Sequence, residues 1–217
     1  MVTAALRREL ERRRRRSDRV LPGVVRRLVA GRDPQPWWLP RRVATVVAFD
    51  LDLDAGVAAV RLVWRPGSAR AEPISAVVER SAGRWTETGG GAVADEALPG
   101  PRCAVGSGGQ LGVIDLVSSC GLRSWARTAA RPGHAHEAPW VGTTELRVAA
   151  EADRLVVGDR EVAVPAHGTV LLAWISPPAA AAVRPPVVAL ASDGAELSRL
   201  APGDVVDSYT WGLLAAP

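Results

Sequence analysis

Residues 43–64 read VATVVAFDLDLDAGVAAVRLVW, and this stretch decides the fold. Two apolar runs rich in β-branched residues, Val43 to Leu53 and Gly56 to Trp64, flank the turn-forming sequence Asp54-Ala55-Gly56. Runs of this length on either side of an Asp and a Gly are typical of a β-hairpin. The stretch therefore predicts two antiparallel strands.

The aspartates of this hairpin need an explanation. Residues 49–54, FDLDLD, follow an apolar run and resemble the Asp-x-Asp motif of haloacid-dehalogenase-type phosphotransferases. That resemblance implies a parallel sheet alternating with helices and further basic motifs, whereas this chain predicts consecutive strands and contains no lysine. Strand alternation accounts for the segment more simply, because it turns Phe49, Leu51 and Leu53 toward a core and the three aspartates toward water.

Short apolar runs continue through most of the remaining chain, separated by Gly, Pro and Asp. Turn formers at 157–160 and 192–195 predict further hairpins, and the glycine-rich residues 88–91 and 106–109 predict loops. We therefore expect a mainly β fold, an antiparallel β-sandwich or partly closed barrel, preceded by one or two short N-terminal α-helices. The predicted strands beyond the first hairpin are Ser75 to Arg80, Leu111 to Val117, Leu122 to Arg127, Thr144 to Ala149, Arg154 to Val157, Glu161 to Val164, Val170 to Ile175, Val187 to Ala191 and Val205 to Trp211.

The N-terminus has a helical pattern instead. Good helix formers run from Val2 to Arg16, and a wider apolar face follows at spacings of three and four residues. Pro22 suits the first turn of a second helix, and Gly31 suits its end. The apolar face should dock on another surface, and its members are Leu21, Val24, Val25, Leu28 and Val29.

A stiff segment separates this helical region from the strands. Asp33-Pro34-Gln35-Pro36 predicts an extended linker, and Trp37-Trp38 directly after it offers a large aromatic surface for anchoring the chain. We place the domain boundary here. Residues 1–36 form an Arg-rich helical segment with a Pro-rich linker, and residues 37–217 form one β-sandwich domain.

Basic charge is concentrated at the N-terminus. The chain has a formal net charge of +4, and eight arginines fall within its first nineteen residues. Five of these are adjacent, namely Arg12, Arg13, Arg14, Arg15 and Arg16. Adjacent residues wrap all sides of a helix, so this tract favours contacts with phosphates or acidic surfaces without base-specific reading. Chemistry that needs a lysine nucleophile or Schiff base is excluded, because the chain has no lysine.

Candidate catalytic groups do not form a coherent set. His134 and His136 would project to one side of an extended segment beside Glu137, as a metal site would require, but His167 is the only other histidine. Cys103 and Cys120 lie in separate segments and match no nucleophile motif. We therefore expect no catalytic residue, metal or cofactor.

These observations favour a non-enzymatic interaction or assembly module. Its partner is a protein or a second copy of the chain, and the partner-binding residues are the arginine tract 12–16 together with Leu21, Val25, Leu28, Trp37 and Trp38. Two alternatives remain open: a metal-dependent hydrolase using the His134/His136 segment, and an accessory protein that binds nucleic acid weakly and non-specifically through the arginine tract. No apolar run reaches the roughly 20 residues of a transmembrane helix, and we expect a cytoplasmic protein.

Overall fold

The computed structural model describes residues 4–92, 98–130, 133–134, 137–177, 185–206 and 208–215, without the side chains of residues 4–16, 91, 92, 213 and 215. Over these residues the chain is mainly β, as predicted, with antiparallel pairing throughout. The helices are α1 (Ala4–Val29), α2 (Trp125–Ala130) and α3 (Ser208–Ala215). The strands are β1 (Ala44–Asp52), β2 (Val57–Trp64), β3 (Glu72–Ser81), β4 (Arg84–Ala92), β5 (Ile114–Arg123), β6 (Trp140–Val148), β7 (Arg154–Val157), β8 (Arg160–Ala163), β9 (Thr169–Ser176), β10 (Val187–Leu190) and β11 (Glu196–Leu200).

The described strands form three sheets. Sheet A has the order β1-β2-β3-β4, sheet B the order β5-β6-β9, and sheet C the order β11-β10-β7-β8. Helix α1 packs on one face of sheet A, and sheet B packs on the other. Sheet C and α3 cover the far face of sheet B. The result is a sandwich-like stack, and the described strands close no barrel.

Helix α1 is one continuous helix, so the prediction that Pro22 opens a second helix is wrong. Pro22 lies inside α1, where it lacks the amide hydrogen that would continue the hydrogen-bond ladder. Burial of the neighbouring Val20, Leu21, Val24 and Val25 against sheet A offsets that loss. The predicted stop is confirmed, because Gly31 has a positive φ of 63° and donates to the carbonyl of Leu28.

The predicted faces of residues 49–54 are confirmed for Leu51, which packs against the core, and for Asp54, which is exposed, but they are wrong for Phe49, Asp50 and Leu53. A register shift between Val46 and Ala48 inserts one extra residue, and every side chain beyond it changes face. Asp50 is therefore buried, with 8% of its surface exposed, whereas Phe49 is 44% exposed. Leu53 is also exposed instead of facing the core.

The glycine-rich residues 88–91 belong to strand β4 and not to a loop. An added Cβ on Gly89 would lie 2.8 Å from Cδ2 of Leu122 in sheet B, and one on Gly90 would lie 2.5 Å from the carbonyl oxygen of Ser75 in β3. Glycine thus allows a close approach of sheet B at Gly89 and of the neighbouring strand β3 at Gly90. The other glycine-rich stretch, residues 106–109, is the predicted loop.

Three further predicted strands need correction. Leu111 to Val117 and Leu122 to Arg127 become one strand, β5, followed by the short helix α2. The described residues of the predicted strand Val205 to Trp211 do not form a strand either: Val205 and Val206 are buried in turns, and α3 begins at Ser208. Val205 and Val206 are thus buried without belonging to a strand, and sequence patterning cannot distinguish such burial from burial in a sheet.

Candidate functional site

The apolar face of α1 is covered by the protein's own sheet. Leu21 and Val25 are 1% and 0% exposed, and Leu28 is partly buried against the same cluster. Sequence analysis placed these three residues on a partner-binding surface. In the folded chain their contacts are with sheet A, so this part of the predicted surface needs correction.

The two tryptophans after the linker stand at the surface. Trp37 is 87% exposed and Trp38 is 48% exposed, so the predicted anchoring by burial is wrong for Trp37. Trp38 lies along α1, since a Cβ on Gly23 would be 3.9 Å from its Cζ2 atom. Val29 and Val43, also more than 40% exposed, bracket this segment in sequence. The chain therefore presents exposed apolar side chains at the C-terminal end of α1.

Gln35 holds the linker in place. Its buried side chain donates from Nε2 to the carbonyl oxygens of Leu39 and Ala44, and its Oε1 accepts the amide hydrogen of Val46. The side-chain amide of Gln35 thus forms hydrogen bonds with the free edge of β1, as a neighbouring strand would. Because the linker is fixed, the backbone that carries Trp37 and Trp38 is preorganised.

The arginine tract 12–16 belongs to the backbone of α1, and its side chains lie outside the described part of the structure. Its assignment as a binding surface stays a prediction. The boundary between residues 1–36 and 37–217 also stays a prediction, although α1 contributes side chains to a core that it shares with sheet A.

Asp50 joins sheet A to the free edge of β9. One of its oxygens accepts the amide hydrogen of Ala173 at 2.8 Å, and both oxygens lie 3.2 Å from Nη1 of Arg160 in β8. Arg160 in turn donates to the carbonyl oxygen of Ala173. Burial raises the pKa of Asp50, and the charge of Arg160 and the backbone hydrogen bonds oppose that rise. The ion pair thus satisfies both outward backbone groups of Ala173.

Glu79 in β3, 1% exposed, performs a similar task on the same face of sheet A. Its carboxylate accepts hydrogen bonds from the hydroxyl of Ser124 and from the amides of Trp125 and Ala126, the first residues of α2. Arg127 also lies 3.5 Å from it. Because two of these donors are the first backbone amides of α2, the carboxylate of Glu79 serves as a cap for that helix.

A third buried charge pair lies between sheets A and B. Arg61 in β2 contacts Glu145 in β6, and their side chains are 4% and 3% exposed. Sequence reasoning missed both residues; Arg61 is a lone charge inside the apolar run 57–64, which is a pattern that points to a buried charge, whereas Glu145 lies in the mixed sequence TTELR, which gives no such signal.

His167 is held neutral beside this pair. Its Nδ1 accepts the amide hydrogen of Thr169 at 3.1 Å, so Nε2 carries the hydrogen that it donates to the carbonyl oxygen of Val47. Burial, reinforced by the charge of Arg61, lowers the pKa of His167, and the bond to Val47 opposes this. With both ring nitrogens engaged, His167 is not placed to serve as a base for Cys103, which lines the same cavity.

The predicted metal site is only half described. His134 and Glu137 line a cavity of about 270 Å³ together with Arg127, and His136 lies outside the described residues. Among the described residues no group of three His, Cys, Asp or Glu side chains could hold a metal ion. Cys120 packs near the interface of sheets A and B, and neither Cys120 nor Cys103 forms a disulfide in the described part of the chain.

A further cavity opens between two hairpin turns. We call it the hairpin cavity, and it has a volume of about 350 Å³. Its mouth is formed by the β1–β2 turn and the β7–β8 turn, and Arg160 forms one wall. A neighbouring cavity of about 430 Å³ lies along the first part of β9, with Asp50 in its wall.

Comparison with known proteins adds no further information. No protein-family model, curated protein or solved structure matches this chain. None of the helices in the described ranges is both long and apolar enough to cross a membrane. The functional argument therefore rests on the chain's own surfaces and cavities.

Proposed function

We propose that this protein is a non-enzymatic interaction or assembly module that docks on a protein partner, or on a second copy of itself, through the surface of its N-terminal segment. The observation that carries the proposal is Trp37, a large aromatic side chain that is 87% exposed on a backbone fixed by Gln35. Tryptophan is among the residues that contribute most to binding at protein interfaces. Because the backbone that carries Trp37 is fixed, the chain loses little backbone freedom when this side chain is bound.

The surroundings of Trp37 support this surface. Trp38, Val29 and Val43 add exposed apolar area from the same part of the chain. The arginine tract 12–16 in α1 adds positive charge, which favours partners with acidic surfaces and accelerates their association. The three buried charge clusters of Asp50, Glu79 and Arg61 serve internal contacts, which supports a scaffold more than a reaction centre.

A tryptophan exchange tests the proposal. Trp37→Ser should weaken association by about 2 kcal/mol, or roughly thirtyfold, while leaving thermal stability unchanged. The matched control is Trp125→Ser, because Trp125 is also exposed, at 56%, but lies on α2. Self-association is measured by size-exclusion chromatography with light scattering up to about a hundred micromolar. Binding of a partner is measured by crosslinking in native extract followed by titration of each purified candidate.

The proposal fails under two results. One is a parent protein that stays monomeric and has no saturable partner. The other is association that Trp125→Ser weakens as much as Trp37→Ser does, because such a loss would reflect general surface hydrophobicity.

A further inference from the structure

The hairpin cavity has the size and walls of a small-molecule site. Its volume of about 350 Å³ falls within the usual range of ligand pockets. Apolar side chains from three strands line its interior, with Trp174 and Leu172 from β9, Val187 from β10 and Val157 from β7. The polar atoms of this floor are already satisfied, because Trp174 Nε1 donates to the hydroxyl of Thr144, which donates to the carbonyl oxygen of Val205.

The mouth of the cavity is acidic. Asp52 is the last residue of β1, Asp54 lies in the β1–β2 turn, and Asp159 comes from the β7–β8 turn on the opposite side. Arg160 is the one basic residue among the described lining residues. Its charge is matched by Asp50, whose two oxygens both contact its Nη1 atom. Three carboxylates are therefore left to set the charge that a ligand meets.

We propose that the hairpin cavity binds a small organic cation. The apolar or aromatic body of the ligand would lie on the floor beside Trp174, and its ammonium or guanidinium group would face Asp52, Asp54 and Asp159 at the mouth. The combination is selective, since an anion of the same shape is repelled and a fully hydrophilic cation gains nothing from the floor. This site shares no residue with the Trp37 surface, so the two proposals stand or fall separately.

Three indoles of nearly equal shape test how the charge of a ligand affects its binding. Tryptamine is cationic, tryptophol is neutral and indole-3-acetate is anionic. Isothermal titration of the full chain at low salt should show tryptamine binding about tenfold more tightly than tryptophol, because each exposed carboxylate contributes up to a few-fold. Indole-3-acetate should bind more weakly than tryptophol. Raising the salt concentration should reduce the preference for tryptamine.

Variants locate the site. Asp54→Asn and Asp159→Asn should each weaken tryptamine binding about two- to fivefold. The matched control is Asp193→Asn, which removes the same charge from the β10–β11 turn, outside the cavity lining. Val157→Trp should fill the cavity and abolish binding of both tryptamine and tryptophol.

Each other outcome overturns the proposal. Equal binding of the three indoles would show an apolar cavity without charge selection. A complete lack of tryptamine binding at millimolar concentration would show that the cavity is not a site. An equal loss from Asp193→Asn would show attraction to the overall charge of the protein, and retained binding in a folded Val157→Trp variant would place the ligand elsewhere.

Discussion

Sheet A buries both of its faces, and the two faces are built from different chemistry. The face toward α1 is apolar, with Val46, Val60, Leu62 and Val78 packed against the helix. The face toward sheet B also contains valine and alanine, but it carries four buried polar residues as well. These are Asp50, Arg61, Ser75 and Glu79.

The different chemistry of the two faces explains how α1 and sheet B are each positioned on sheet A. Apolar packing is favourable in many orientations, because the hydrophobic effect has no direction. Hydrogen bonds and ion pairs have defined geometry, so Asp50 on Ala173, Glu79 on α2 and Arg61 on Glu145 set the position of sheet B relative to sheet A. We infer that α1 supplies mainly burial, whereas the polar face supplies mainly alignment.

Breaking the Arg61–Glu145 pair should have the largest effect. Glu145→Leu leaves the buried guanidinium of Arg61 without its carboxylate, and we expect a loss of about 3–5 kcal/mol in the free energy of unfolding. The double variant Arg61→Met/Glu145→Leu should recover most of that stability, since both charges are then removed. Urea denaturation of the parent, both single variants and the double variant measures the coupling. If the double variant is as unstable as Glu145→Leu, the polar face is needed for stability itself and the contrast with the apolar face is wrong.

Truncating the apolar face should have a slightly smaller effect. Leu21→Ala removes most of a side chain that is 1% exposed between α1 and sheet A, and about 3 kcal/mol should be lost. Leu21→Met should cost less than about 1.5 kcal/mol, because non-directional packing tolerates a change of shape. The same denaturation measurement applies to both variants. A loss from Leu21→Met that equals the loss from Leu21→Ala would show that this face is as geometrically demanding as the other.

His167 provides the smallest and most specific test. Its pKa is lowered in the folded state from an ordinary value of 6.5, so the unfolded chain binds the proton more readily. The stability due to neutral His167 is therefore complete above pH 6.5 and is lost as the pH falls through the folded-state pKa. His167→Gln should remove this pH dependence at a cost of about 1 kcal/mol near pH 7.5.

The matched control for that experiment is His134→Gln, at an exposed histidine in the loop before β6. Stability is compared by denaturant titration from about pH 5 to 8. The assignment is refuted if His134→Gln, and not His167→Gln, removes the slope below pH 6.5.

The hairpin of residues 43–64 shows which structural features a sequence pattern can predict and which it cannot. Its two strands and its turn were predictable, because β-branched runs around Asp-Ala-Gly have few alternatives. The bulge between Val46 and Ala48 was not predictable, since it depends on the contact with β9 that buries Asp50. A one-residue shift then reversed the inferred faces of Phe49 and Asp50.

The candidate site shows the same division. The exposed Trp37 and the basic tract of α1 were marked by composition, whereas the fate of Leu21 and Val25 depended on whether sheet A or a partner covers them. The hairpin cavity could not be inferred at all. It brings together turns separated by about a hundred residues, and only the packing of sheets A and C around β9 makes them neighbours.

The order of the strands along the chain gives the polar face of sheet A a role during synthesis. Helix α1 and all of sheet A are complete by residue 92. The partners of Glu79 emerge from the ribosome only with residues 124–127, and those of Asp50 only with residues 160–173. Until then, the face that awaits sheet B meets water with carboxylates and a guanidinium among its valines. Charges within an otherwise adhesive sheet discourage contact with neighbouring nascent chains. The residues that align the finished sandwich thus also protect its first half while the second half is being made.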